Sequence, residues 1–162
     1  MKKLTLVRHA KSSWEHNVID HERPLNERGF IDAQNLSTYL RMSDLKIDAV
    51  MSSDATRAKT TAGIFLDNLK IDASLMQLNH DLYDFSGNNL TSVIKACSDK
   101  VNNLMVFGHN HAITAFVNTF GSKFIDNVPT CGVVTIEFDI DNWNDLNKGK
   151  TINTLFPRDF KK

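Results

Sequence analysis

The sequence predicts an α/β domain, a three-layer α/β/α sandwich with a mostly parallel central sheet. Three observations predict it: short apolar, β-branched runs near residues 6, 50 and 106, stretches with apolar positions three and four apart between and after them, and brief connections. With 162 residues there is material for one ordinary core and too little for two, so residues 1–162 read as a single domain.

Composition narrows the classes. Hydrophobic residues make up 41% and charged residues 23%, near the globular average, which argues against disorder, fibrous repeats or a disulfide scaffold. Lys plus Arg equals Asp plus Glu at 19 each, so no overall field favours nucleic acid or a membrane surface, and any basic site must be local. Met1-Lys2-Lys3 is followed by only four apolar-patterned residues before Arg8, unlike a secretory leader, and no apolar stretch approaches the roughly 18 residues of a membrane span. The expected location is the cytoplasm. Cys97 and Cys131 are far apart and form no Cys-x-x-Cys pair, which suits reduced thiols in packing roles.

The first run, Leu4-Thr5-Leu6-Val7, ends abruptly in Arg8-His9 and reads as a buried strand that delivers two basic side chains to its carboxyl end. Taken alone, Arg8 could merely cap the strand and His9 could be a surface histidine. Residues 12–26 are polar and turn-rich, closing with Asp20-His21-Glu22-Arg23-Pro24-Leu25, and read as a surface loop. Phe30, Ala33, Leu36 and Leu40 then mark an amphipathic helix over residues 27–42, with Asn26 as its N-cap.

A second strand, residues 47–53, ends in Ser52-Ser53, and a helix over residues 54–69 follows with Ala58, Ala62, Phe65, Leu66 and Leu69 on one face. Ser53 or Asp54 suits its N-cap, yet Arg57 falls in the first turn, where a positive charge opposes the helix dipole by about 0.3–1 kcal/mol. An anion held at that helix start would explain Arg57; a solvated surface position is the alternative. Residues 75–82 are weakly patterned, Leu82-Tyr83-Asp84-Phe85 leads into a Ser86-Gly87-Asn88 turn, and residues 89–97 read as a short helix. A third strand reaches Gly108-His109-Asn110, where glycine permits close backbone approach, and Ile113, Phe116, Val117 and Phe120 continue as a helix. Residues 132–138 read as the last strand, and the polar tail offers only Phe156-Pro157-Arg158.

Three strand ends on one sheet edge would gather Arg8, His9, Arg57 and His109 in one pocket. Such a cluster repels itself unless an anion is bound, and a phosphoryl group suits it. Leu-Val-Arg8-His9-Ala-Lys-Ser12, Arg23-Pro24-Leu25-x-x-x-Gly29, Ser52-Ser53-x-x-x-Arg57-Ala58-x-x-Thr61-Ala62 and Gly108-His109-Asn110 follow one another in order. This series resembles branch one of the histidine phosphatase superfamily, whose fold is phosphoglycerate mutase-like, and within it the SixA-like phosphohistidine phosphatases. The matches span residues 4 to about 135, and Pro157-Arg158 is also similar.

The resemblance implies a metal-independent phosphatase with no cofactor. His9 would be the nucleophile, passing through a phosphohistidine that water then hydrolyses. Arg8, Arg57 and a cationic or proton-donating His109 would keep His9 unprotonated and bind the equatorial oxygens. Ser12 is placed to donate a further hydrogen bond, and Asn110 to add a backbone or side-chain amide. Asp84 matches the superfamily's mid-chain proton donor; the alternative is that it only starts the following turn. His16, His21, His80 and His111 read as surface or rim residues. Two departures stand out: His111 lies where relatives usually carry proline, and Glu15 where mutase relatives tend to have asparagine.

Brief connections imply an open pocket that admits a protein side chain, whereas relatives that close over sugar phosphates carry longer insertions. An imidazole also leaves more easily than an alkoxide and asks little of a general acid. The expected substrate is therefore phosphohistidine on a protein. A small-molecule phosphomonoesterase, acting on a small phosphate-containing substrate, is the first alternative, and a non-catalytic phosphate-binding module the second.

Overall fold

The computed structural model describes residues 1–160. In chain order its main elements are β1 (Lys2–Arg8), α1 (Glu27–Arg41), β2 (Ala49–Ser52), α2 (Thr56–Leu69), β3 (Met76–Leu78), α3 (Asn88–Lys95), β4 (Asn103–Gly108), α4 (Ala112–Phe120), β5 (Val133–Phe138) and β6 (Lys150–Leu155). The strands form one sheet in the order β3-β2-β4-β1-β5-β6. Pairings from β3 across to β1 are parallel, while β5 runs antiparallel to both β1 and β6.

Strand alternation divides the core. Leu4, Leu6, Leu104, Val106, Val134 and Ile136 face one side, where they pack with α3, α4 and Trp143. Val7, Val50, Met105, Phe107 and Val133 face the other, beneath Leu36 and Leu40 of α1 and Ala62 and Phe65 of α2. Both faces are thus covered, which lets the parallel strands be apolar throughout.

Several expectations are corrected. Phe30 is 48% exposed; α1 instead buries Gly29, Asp32, Ala33, Leu36, Ser37 and Leu40. The reason is a close approach: a Cβ on Gly29 would overlap the Lys11 carbonyl, so the helix turns its glycine toward that loop. Asn26 does cap α1, its side chain accepting from the Gly29 amide at 2.8 Å. Neither Ser53 nor Asp54 caps α2, whose N-cap is Ala55. The Ser53 hydroxyl accepts from the Ala55 amide inside the turn, and the Asp54 carboxylate is held by two histidines.

Residues 132–138 are not the last strand. The tail returns as β6, a mostly exposed edge strand whose polar residues hide its pattern. The brief β3 was equally faint, three residues with little apolar signal. Cys97 and Cys131 are buried free thiols. No helix among the described residues is long and apolar enough to cross a membrane.

Candidate active site

Register places the predicted residues on one sheet edge. Arg8 of β1 is opposite Gly108 of β4, and Ser52 of β2 is opposite Phe107. Backbone hydrogen bonds carry the ladder past the strands: the His9 amide donates to the Gly108 carbonyl, the Ser53 amide to the Phe107 carbonyl, and the Cys131 amide to the His9 carbonyl. Thr61 adds a tie from α2, accepting from the Ala10 amide and donating to the Arg57 carbonyl. His9 therefore sits on a backbone fixed from three sides.

The chemistry of His9 follows from its contacts. Its Nδ1 lies 2.7 Å from the Ala10 carbonyl oxygen, an acceptor that only a protonated Nδ1 satisfies, so Nε2 carries the lone pair. Arg57 Nε donates to that Nε2 at 3.3 Å. Burial, together with Arg57, Arg8 and Arg23, lowers the His9 pKa to about 3, against a smaller opposing effect of the Ala10 bond. The imidazole is neutral at physiological pH.

His109 packs against it with the rings tilted by 54° and their centroids 5.1 Å apart. Burial, then His9 and Arg57, lowers its pKa to about 2, so it is not the cation that the sequence allowed. Its Nε2 lies 2.8 Å from the Ser53 hydroxyl. That hydroxyl can donate to Nε2, which leaves the ring hydrogen on Nδ1 as a proton-donating group. His109 Nδ1 and Arg8 Nε are buried and have no hydrogen-bond partner among the described residues. Buried donors in that state call for an acceptor.

Arg8 Nη1 donates to the Val128 carbonyl. Burial, then the Arg57 charge, pulls the Arg8 pKa below its ordinary value.

Arg57 is 2% exposed despite its place in the first helical turn, and the anion it was expected to meet is internal. Its Nη1 donates to the Asp20 carbonyl at 2.7 Å and its Nη2 to the Asp20 carboxylate at 2.9 Å. Arg23 Nε donates to the same carboxylate at 3.0 Å, and Tyr83 Oη donates to it as well. Burial opposes ionisation of Asp20, but the bonds from Tyr83, Arg57 and Arg23 outweigh it and hold the carboxyl well below the usual range. Asp20 is not a residue the sequence points to, and Arg23, which opens the second of the four motifs, carries no site role there. The signal was present: an argument that clustered arginines need an anion applies to a loop carboxylate as well as to a ligand.

An open cleft of about 970 Å³ is lined by Arg8, His9, Ser12, Arg23, Arg57 and Asn110, with Trp14 and Phe85; His109, 1% exposed, does not line it. Ser12 accepts from Arg23 Nη1 and keeps its own hydroxyl hydrogen to donate. The Asn110 side chain is engaged elsewhere: its Nδ2 donates to Asn127 and its Oδ1 accepts from the Thr114 amide and hydroxyl.

Asp84 takes the bonds of the second alternative, the start of the turn. Its carboxylate accepts from the amides of Ser86, Gly87 and Leu90 and from the Ser86 hydroxyl. It closes the turn into α3, where Gly87 takes φ +103°, a conformation that favours glycine. Burial opposes ionisation, but these bonds prevail and hold its pKa below the ordinary value. These four bonds are those of a carboxylate that caps the turn. His16 and His111 are exposed, as expected.

Comparison with known proteins agrees with this geometry. The model of the histidine phosphatase superfamily (branch 1) matches residues 4–87. Uncharacterized protein Rv1276c of Mycobacterium tuberculosis (strain ATCC 25618 / H37Rv) is 29% identical over 153 residues, covering 88% of this chain and 93% of its own. Among solved structures, the protein histidine phosphatase SixA complexed with tungstate superposes with a TM-score of 0.84 at 18% identity, covering 98% of this chain and 99% of that one. Phosphoglycerate mutase from Bacillus anthracis str. Sterne gives 0.59 at 18% identity over 83% of this chain and 87% of its own, so the sandwich is phosphoglycerate mutase-like.

Proposed function

Because the chain belongs to branch 1 of the histidine phosphatase superfamily, we propose that it is a metal-independent phosphatase acting on phosphohistidine in proteins. The observation that carries this reading is His9: a neutral imidazole, its hydrogen fixed on Nδ1 by the Ala10 carbonyl and its Nε2 lone pair turned to Arg57.

Nε2 would attack phosphorus in line as the bond from phosphorus to the leaving group breaks, giving a phosphohistidine on His9. Water would then attack the same phosphorus, releasing phosphate and restoring the imidazole. Arg8 Nε and His109 Nδ1, the two buried donors without partners, are the groups available to the phosphoryl oxygens. Arg57 joins them when its guanidinium exchanges the Asp20 carboxylate for the substrate. SixA, which shares the fold, holds tungstate, an oxyanion of phosphate-like shape.

The choice of leaving group rests on protonation. Asp84 is saturated by four hydrogen bonds, and Asp20 is held ionised by Arg57, Arg23 and Tyr83. Neither carries a proton for an alkoxide. An imidazole leaving group needs least help, taking its proton from water in the open cleft.

The test compares wild type and His9→Ala, with a chelator present, on a radiolabelled phosphohistidine carrier protein and on a generic aryl phosphate. Chelator-resistant loss of label from the carrier, dependent on His9, is expected. Loss from the aryl phosphate alone would replace this reading with a small-molecule phosphomonoesterase, and turnover of neither would leave a phosphate-binding module.

A further inference from the structure

We propose that His21, Asp54 and His80 form a binding site for a divalent transition-metal ion at the rim of the cleft. The three residues come from separate segments: a short 3-10 helix at Asp20–Glu22, the turn between β2 and α2, and a second 3-10 helix at His80–Leu82. One ligand atom from each lies within 4.8 Å of the other two.

The contacts are close. His21 Nε2 is 2.7 Å from Asp54 Oδ1, and His80 Nδ1 is 3.0 Å from both Asp54 oxygens. One carboxylate thus accepts from two imidazoles, and an ion would take the place of the two hydrogens between them. Each imidazole would then present a lone pair, its hydrogen moving to the far ring nitrogen, toward the same point as the carboxylate. Ligand atoms around a tetrahedral ion with bonds of about 2.0–2.1 Å stand roughly 3.3 Å apart. The two histidine-to-carboxylate spacings would open by about half an ångström, and the two histidine nitrogens, within 4.8 Å of each other, would settle to the same separation.

The rings are braced for it. Tyr83 packs edge-on to His21 at 4.9 Å and lies 5.8 Å from His80, so one aromatic side chain orients both imidazoles.

The donor set selects the ion. Two imidazole nitrogens and one carboxylate oxygen suit zinc, nickel, cobalt or copper, while calcium and magnesium ask for oxygen throughout. Three protein ligands leave one tetrahedral position open, as in sites whose ion accepts a further ligand. With the His80 side chain 71% exposed, that ligand can come from solvent or from a docked molecule bearing a nitrogen or oxygen donor.

None of its three residues lines the cleft itself. The site stands without the phosphatase reading, and its test uses no turnover.

Tag-free, chelator-stripped protein is titrated with Co²⁺, followed by its visible absorption, and with Zn²⁺ in competition with a chromophoric chelator. One ion per chain is expected. Loss of a direct ligand should weaken binding by more than the roughly 10- to 100-fold that loss of an outer-shell partner costs. That weakening is expected in both His80→Ala and Asp54→Asn, while His9→Ala binds as wild type. Circular dichroism checks that each variant is folded. No stoichiometric binding, binding retained by either rim variant, or binding lost in His9→Ala would each overturn the proposal.

Discussion

Two pairs of histidines share one run of packed rings and have opposite surroundings. His9 and His109 lie 5.1 Å apart, buried beside arginines, with no carboxylate bonded to either. His21 and His80 lie 5.7 Å apart nearer solvent and share the carboxylate of Asp54. Tyr83 touches both pairs, 5.3 Å from His109 and 4.9 Å from His21. Burial and counter-charge, rather than residue type, decide what each imidazole does. Inside, desolvation and guanidinium charge hold a lone pair ready. At the rim, a carboxylate gathers ring hydrogens and with them a ligand set.

The comparison breaks most readily at Arg57, the charge that the interior pair has and the rim pair lacks. Arg57→Ala should lower kcat on a phosphohistidine substrate by about 10²- to 10³-fold, the usual cost of removing one donor from developing charge. Arg57→Lys should recover little, because a single ammonium cannot bond His9, Asp20 and a phosphoryl group with separate edges. Steady-state kinetics measure both; a loss under tenfold would show that burial alone prepares His9.

Acid sharpens the contrast. In the unfolded chain a histidine takes up its proton near pH 6.5, whereas folded His9 and His109 do so only near 3 and 2. Between those values the unfolded state holds more protons, so stability is fully present above pH 6.5 and falls as the pH drops. Each histidine contributes a slope of up to about 1.4 kcal/mol per pH unit. Urea unfolding at pH 7 and pH 5 should record the loss. NMR of the ring nitrogens at pH 5 should still find His9 neutral with its hydrogen on Nδ1; ordinary titration of His9 near 6.5 would show that neither burial nor the arginines prepare it.

Asp84 tests whether a third carboxylate belongs with the interior pair. Asp84→Asn exchanges acceptors for a donor facing backbone amides, and should lower stability by about 1–3 kcal/mol in denaturant melts. Turnover of phosphohistidine should stay within a few-fold. A large fall in kcat with unchanged stability would return Asp84 to the role of proton donor.

Much of this was legible in the chain. Strands that end in Arg8-His9, Ser52-Ser53 and Gly108-His109 carry both the fold and the convergence of the site, because apolar alternation fixes the sheet and parallel pairing fixes the edge. β6 was hidden by its exposure, since an edge strand without a buried face leaves no alternation to read. Phe30 misled because spacing locates a helical face only to within a residue, and Gly29 against Lys11 decided the rotation. Asp20, Arg23 and the Asp54 pairings come from a loop and two turns, where three-dimensional closure, not periodicity, brings side chains together.

Asp20 joins the two clusters and gives the smallest expected effect. Its carboxylate accepts from Arg57, Arg23 and Tyr83, so it occupies guanidinium donors that a phosphoryl group also needs. If it competes with substrate, Asp20→Asn should tighten the binding of vanadate or inorganic phosphate. The gain should be modest, a few-fold, because the Asp20 side chain is 43% exposed and a partly exposed ion pair is worth up to about 1 kcal/mol after screening. Calorimetric titration of wild type and variant with phosphate measures it, and added salt should shrink the difference. Weaker binding in the variant would mean the reverse: Asp20 holds Arg57 in the orientation that serves His9. The carboxylate would then belong to the interior pair as fully as the Ala10 carbonyl does.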